Sequence, residues 1–326
     1  MTLAKILGAG WQQCRQFPEK LRSTLARRFP VAYARFPAFW QLARMDRPIG
    51  MYLLLWPTLW SLWIAAQGLP DLKLLLIFIL GTTAMRAAGC SINDYADRNF
   101  DGHVQRTRNR PIVTGRVSPG EALKLCAALC LVSFVLVLFT NRLTIYMAFG
   151  GLGIALVYPF MKRFTHLAQL FLAAAFSWGG LMAFTAQTAT LPVHAWLLYV
   201  ANVIWTVVYD TEYAMVDRED DIKLGLRSTA ILFAEADRFI IGVLQAFFLV
   251  TLSLSAKHFG LGLWFQSGLL ISAGFFVYQQ RLMKTRATAQ YFQAFLNNNR
   301  VGMTIFVFTV LDLFFRGIAD QAPIPA

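Results

Sequence analysis

The chain predicts an all-α, polytopic membrane protein, and three observations carry that class. Its 326 residues are 57% hydrophobic, with a mean hydropathy of +0.51. Only 14% are charged, against about 25% in a typical soluble chain. The apolar residues fall in continuous runs of roughly 18–22, long enough to cross a hydrocarbon core of about 30 Å as helices. They do not alternate with polar positions, as barrel strands would.

Nine such segments follow one another, at about 49–67, 72–92, 121–140, 143–158, 166–187, 194–210, 239–256, 264–281 and 301–316. Charge placement tests the count. With a cytoplasmic N-terminus, the odd-numbered loops hold little more than Lys73, Arg142 and Lys257. The even-numbered loops hold Arg98, Arg106, Arg108, Arg110, Arg116 and Lys124, then Lys162 and Arg163. Arg218, Lys223, Arg227 and Arg238 come next, then Arg281, Lys284, Arg286 and Arg300. That asymmetry obeys the positive-inside rule along the whole chain. Two long polar connections, about 93–120 and 211–238, therefore face the cytoplasm. Four spans separate them, which points to duplication of a four-helix unit.

Residues 1–40 are a different material, and the expected domains are a basic N-terminal arm (1–40) and a transmembrane domain (41–326). Seven Lys and Arg residues in the arm are set among Trp11, Phe17, Leu21, Leu25, Phe29 and Tyr33, with Glu19 as its one acid. Such a segment lies on a membrane surface; the alternative is a cleavable organelle-targeting peptide. The net charge of +13 is loop charge and attraction to membrane lipid, so no nucleic-acid partner is expected. Cys14, Cys90, Cys126 and Cys130 have neither the spacing of a metal cluster nor that of a disulfide framework. His103, His166, His194 and His258 read as separate interfacial residues.

Chemistry concentrates in the two long connections. The first opens with Asn93-Asp-Tyr-Ala-Asp-Arg-Asn-Phe-Asp101, and the second with Asp210-Thr-Glu-Tyr-Ala-Met-Val-Asp-Arg-Glu-Asp-Asp221. If the spans stay helical into these stretches, positions seven and eleven apart fall within about 20° of one stripe. Arg86, Asn93 and Asp97 have that spacing, as do Asp210, Asp217 and Asp221, and Asp101 would add one more turn to the first. Oxygen donors so placed suit Mg²⁺, which keeps waters and is completed by substrate phosphates. The matching spacing implies two half-sites facing each other across a cavity. Acids at a membrane edge are costly and therefore functional candidates, although Glu212, Glu219 and Asp220 read better as solvated loop residues.

Arg106, Arg108, Arg110, Lys162, Arg163, Lys223 and Arg227 would neutralise a departing diphosphate, whereas Arg116, Lys124 and Arg286 read as plain positive-inside charge. Tyr158 and Lys162 share a face if the helix runs past Pro159. Arg86, about two turns inside the membrane, needs an anionic partner. Asp210 and a substrate carboxylate are equal candidates.

At this point the residues resemble a known family. Asn93–Asp101 is similar to the NDxxDxxxD signature of the UbiA superfamily of intramembrane prenyltransferases, and Asp217-Arg-Glu-Asp-Asp221 to its second, DxxxD signature. Met85–Cys90, Asp101–Arg106, Tyr158–Arg163, Tyr209–Asp217 and Gly225–Ala230 bring the resemblance closest to the branch that makes ubiquinone precursors from 4-hydroxybenzoate. The likeness runs from about Arg44 to about Asn299, and the basic arm departs from it.

The resemblance implies nine transmembrane helices around a central cavity in a bacterial inner membrane, or alternatively a mitochondrial one. It implies two Mg²⁺ ions, one on Asn93 and Asp97, the other on Asp217 with Asp210 and Asp221 in support; Asp101 completes the candidate metal ligands. Arg110 and Lys162 would hold the diphosphate of a polyprenyl diphosphate, with Tyr158 and Arg163 beside it and Arg86 near the diphosphate or the aromatic acid. Asp97, Asp210, Asp217 and Arg86 are thus the expected catalytic set. The rivals are the same fold with homogentisate, a naphthoate or haem as acceptor, and an ion transporter. A transporter predicts acids spread through the membrane depth, not clustered at one edge.

Overall fold

The computed structural model describes residues 27–161 and 163–321, so residues 1–26 of the arm, Lys162 and the last five residues lie outside the described chain. Helix and turn account for the described residues, without a strand among them. We number the helices α1 (Pro30–Leu42), α2 (Ile49–Ala66), α3 (Leu72–Asp97), α4 (Pro119–Leu138), α5 (Arg142–Met161), α6 (Ala168–Thr188), α7 (Ala195–Lys223), α8 (Thr229–Phe233), α9 (Asp237–His258), α10 (Leu263–Met283) and α11 (Thr288–Gln321).

Among the described residues, long helices cover each of the nine expected apolar segments, and two of them overrun by more than ten residues. The sixth was expected to end near 210 and continues to Lys223; the ninth was expected from 301 and begins at Thr288. Hydropathy falls where polar residues begin, whereas a helix continues while its side chains find partners. Among the described residues, six segments are long and apolar enough to cross a membrane by length and composition: α2 to α6 and Thr229–His258. The remaining three carry the acidic stripe of α7, the glutamines of α10 and the asparagines of α11.

Local chemistry sets the helix ends. Asp71 Oδ1 accepts the Lys73 N–H at the start of α3. Ser118 and Glu121 form a reciprocal capping box before α4, each side chain accepting the other's backbone N–H, with Pro119 as first helical residue. Asn141 accepts the Thr144 N–H to open α5 and donates to the Thr185 carbonyl of α6.

The chain divides into two compact units. The first comprises residues up to Gly50 together with Met85–Cys130. Its core is one face of α1 (Ala38, Leu42) packed on Ile112, Val117 and Ala122, so α1 sits on the loop that follows the first acidic motif. Arg35 reinforces this contact with two hydrogen bonds to Glu121, of 2.5 and 2.8 Å.

The second unit comprises Met51–Ala84 and residues from Leu131 onward. Within it α7 is central, packing against α6, α8, α9 and α11. Trp60, Trp205, Phe248 and Phe265 are fully buried there, and Trp205 stacks on Phe248. Gly302 of α11 is needed for the close approach, because a β-carbon there would strike Trp56 and Trp205.

Three consecutive asparagines on α11 reach three different helices. Asn297 accepts from Gln279 (3.1 Å), Asn298 from Trp205 (2.9 Å) and Asn299 from Trp56 (2.8 Å). Buried amide and indole groups of this kind are costly unless paired, and here each finds a partner.

Candidate active site

The first motif forms where α3 ends. The helix is unbroken through Arg86, Asn93 and Asp97, so the predicted stripe exists. The extra turn expected to carry Asp101 does not. The chain breaks after Asp97: the Phe100 N–H bonds back to the Asp97 carbonyl, and Asp101–His103 is a single 3₁₀ turn. The Thr107 hydroxyl then closes the loop on the Asp101 carbonyl at 2.7 Å. This fold-back sets Asp101 Oδ2 2.5 Å from Arg110 Nη1, which also lies 3.1 Å from Asp94 Oδ1.

Asp94, Asp97 and Asp101 are all buried, whereas Asn93 is half-buried. Burial holds the Asp101 carboxyl above the ordinary aspartate range; Arg110 opposes that shift, and the Asp97 and Asp94 carboxylates add to it.

Asp94 has a second cation. Arg44 Nη2 lies 2.7 and 3.1 Å from its two carboxylate oxygens. Arg44 follows α1 with a left-handed backbone, φ +57°. Its N–H bonds to Gln41 O while Met45 N–H bonds to Trp40 O, the Schellman pattern of a helix C-terminus. Glycine is the low-strain residue at that position. Arginine stands there instead, and its side chain reaches the motif. Gly50 serves the site through absence of a side chain: a β-carbon on it would overlap the Arg86 guanidinium.

The second motif is built differently. α7 stays helical from Ala195 to Lys223, so Asp210, Asp217 and Asp221 share one face, each half-buried. Glu219 is exposed and Asp220 half-exposed with Lys223 3.6 Å away, as befits solvated residues. Glu212 overturns the same expectation. It is fully buried on the opposite side of α7 and accepts the Asn298 amide N–H at 2.7 Å. Helical geometry explains the difference: two residues beyond Asp210 rotates a side chain by about 200°, into α11.

Arg218 turns away from the stripe to the buried Asp237, which also takes two 2.9 Å bonds from Arg286. Arg286, read from sequence as plain surface charge, is therefore structural.

Tyr158 is half-buried in α5, which does run past Pro159, to Met161. Lys162 lies outside the described residues. Arg163 is exposed, with its guanidinium over the Phe160 ring at 5.7 Å. Arg227 donates to the Phe164 carbonyl. His194 and His258, read as separate, have stacked rings 3.8 Å apart. Sequence reading missed Asp94, Arg44, Glu212 and Asp237 as paired groups. The one available signal was the left-over acid in Asn93-Asp94, next to the stripe but off its face.

The comparisons bear on this geometry directly. The sequence profile described as the UbiA prenyltransferase family matches residues 54–305, and both acidic motifs lie inside that match. The chain belongs to the UbiA prenyltransferase family. A relative from Ectopseudomonas mendocina, named 4-hydroxybenzoate octaprenyltransferase, is 59% identical over 278 residues, 85% of this chain and 94% of its own. A relative of the same name from Pseudomonas aeruginosa is 56% identical over 90% of this chain and 97% of its own.

Solved UbiA homologues share the fold. One from Aeropyrum pernix superposes with a TM-score of 0.72 at 23% identity, covering 81% of this chain and 98% of its own. One from Archaeoglobus fulgidus, solved with GPP and Mg²⁺, gives 0.60 at 17%, covering 87% of this chain and all of its own.

Proposed function

We propose that this UbiA-family chain transfers a polyprenyl group from a polyprenyl diphosphate to the ring carbon ortho to the hydroxyl of 4-hydroxybenzoate, releasing diphosphate. The observation that carries the reading is the 55–59% identity, over 85–90% of this chain and 92–97% of theirs, to relatives named for that activity. Their names give octaprenyl as the group transferred.

The donor set fits a hard divalent cation. Asp210, Asp217 and Asp221 offer half-exposed carboxylates on one helix face, and Asn93 and Asp97 offer an amide and a carboxylate one turn apart. Among the described residues no three His, Cys, Asp or Glu side chains form a cage by themselves. Mg²⁺ asks for less, since it retains waters and shares substrate phosphate oxygens. Asn93 and Asp97 would hold one ion, with Asp101 next to it; Asp217 would hold the second, with Asp210 and Asp221. Bound Mg²⁺ would supply positive charge to the diphosphate oxygens.

The chain's own residues do the rest. Arg110 and Lys162, with Tyr158 and Arg163 beside them, neutralise the leaving diphosphate as the allylic C–O bond ionises and its electron pair departs with oxygen. Arg86 holds the carboxylate of 4-hydroxybenzoate or the diphosphate. The electron-rich ortho carbon attacks the allyl cation, and loss of the ring proton restores aromaticity. Apolar helices exclude water that would otherwise trap the cation, and aromatic ring faces stabilise it. Nine spans with the N-terminus and both motifs on the cytoplasmic side of a bacterial inner membrane complete the reading, with residues 41–326 as the catalytic domain.

The test is a membrane assay with radiolabelled 4-hydroxybenzoate and geranyl diphosphate, with and without Mg²⁺. A lipid-extractable product that requires Mg²⁺ is expected. Product with homogentisate or a naphthoate, and none with 4-hydroxybenzoate, would overturn the acceptor while keeping the chemistry.

A further inference from the structure

α1 is apolar on two opposite faces, and the protein uses one. Ala38 and Leu42 pack on Ile112, Val117 and Ala122. At about 100° per residue, Phe29, Tyr33, Phe36 and Trp40 fall within roughly 60° of each other on the far side. All four are exposed, Phe29 by 54% and Phe36 by 53%. Phe36 and Trp40 are in ring contact at 5.5 Å.

Three observations say what covers this face. It ends in exposed Arg27 and Arg28, the latter over the Phe29 ring, and residues 27–45 contain four arginines, Arg27, Arg28, Arg35 and Arg44, and no Asp or Glu. Tyr and Trp are the aromatic types that settle at lipid headgroups. Leu42 lies seven residues before Ile49, where the first apolar helix starts, so α1 is tethered within about 25 Å of a membrane boundary. Aromatic face, basic end and tether together fit an anionic bilayer surface.

The protein-facing side of α1 reaches the site. Arg35 binds Glu121, the Ala38–Leu42 face packs on the loop that carries Arg110, and Arg44 binds Asp94, which Arg110 shares. We propose that α1 is a lipid-seated brace: its Phe29–Trp40 face lies in an anionic membrane surface while its opposite face holds the loop from Val104 to Ser118 and the Asp94–Arg110 cluster in place. This rests on the apolar helices being membrane-embedded and not on which acceptor is prenylated.

The test uses the full chain in nanodiscs, of phosphatidylcholine alone or mixed with phosphatidylglycerol, each containing a diazirine-tailed phospholipid for photocrosslinking. Mass spectrometry locates the adducts, and hydrogen exchange follows the amides of residues 104–118. Adducts on residues 29–40 are expected, more in the mixed discs. Exchange in the loop is expected to rise on the order of tenfold in phosphatidylcholine alone and in Phe36→Ser/Trp40→Ser. Arg35→Gln, which severs only the protein side, is expected to loosen the loop while keeping the adducts. Absence of adducts on 29–40 while the spans are labelled, or equal yields in both lipids, overturns the lipid assignment. Unchanged exchange at 104–118 in the unmutated chain across the two lipids overturns the brace. Neither readout depends on turnover.

Discussion

Each of the two units contains a fully buried aspartate clamped by two arginines, one of them in a left-handed backbone just past a helix. In the first unit it is Asp94, with Arg44 and Arg110; in the second it is Asp237, with Arg286 and Arg218. The placement differs. Asp94 lies inside the acidic motif, and its partner Arg110 also holds Asp101. Asp237 lies sixteen residues beyond Asp221 and draws Arg218 off the α7 stripe. The same device therefore tightens the first motif around its cations and clears one cation from the second. The lesson is that a charge cluster's role depends on where its buried member sits, not on its composition.

Six substitutions press on that comparison. The largest effect is expected from Asp97→Ala and from Asp217→Ala, each lowering turnover by about 10³-fold or more without unfolding the chain. Near-normal activity in one of them, measured in membranes with 4-hydroxybenzoate, would show that only one motif carries the chemistry. Gly50→Ala comes next: a β-carbon would displace the Arg86 guanidinium, and a shift of about 1 Å can cost up to ~10²-fold in kcat/KM. Unaltered kinetics would detach Arg86 from the reaction.

Asp94→Asn and Asp237→Asn should each cost about 3–5 kcal/mol of stability by stranding arginines in a buried pair. Thermal unfolding in detergent should show the two losses to be similar, while only Asp94→Asn should also weaken donor binding at temperatures where both variants are folded. Equal donor affinity in the two variants would erase the distinction between the clamps. The smallest change is expected from Glu212→Gln, within about 0.5 kcal/mol, because an amide oxygen can accept the same Asn298 N–H. A loss of several kcal/mol would mean that the carboxyl charge itself is required.

The all-helical class and the two acidic stripes were legible because helical periodicity and hydropathy act along the chain. Asp217 and Asp221 fell on the Asp210 face as the spacing required. What was not legible depended on partners distant in sequence. Arg44 and Asp94 stand fifty residues apart, and no local pattern joins them. Glu212 looked like a loop acid because its partner, Asn298, is 86 residues away. Asp101 failed for a local reason: α3 stops four residues too early to carry it. Asp237 was passed over because its partners, Arg218 and Arg286, stand 19 and 49 residues away.

The three asparagines of α11 have a consequence for how the chain is made. Trp56, Trp205 and Gln279 all bond to residues 297–299, which leave the ribosome after every other long helix. Until then those polar groups must find provisional partners in translocon, lipid or water. Helices delivered earlier can insert one by one, yet their mutual register stays open until the final segment arrives. A ribosome stalled before residue 297 should thus hold a set of inserted helices that a protease still distinguishes from the finished protein.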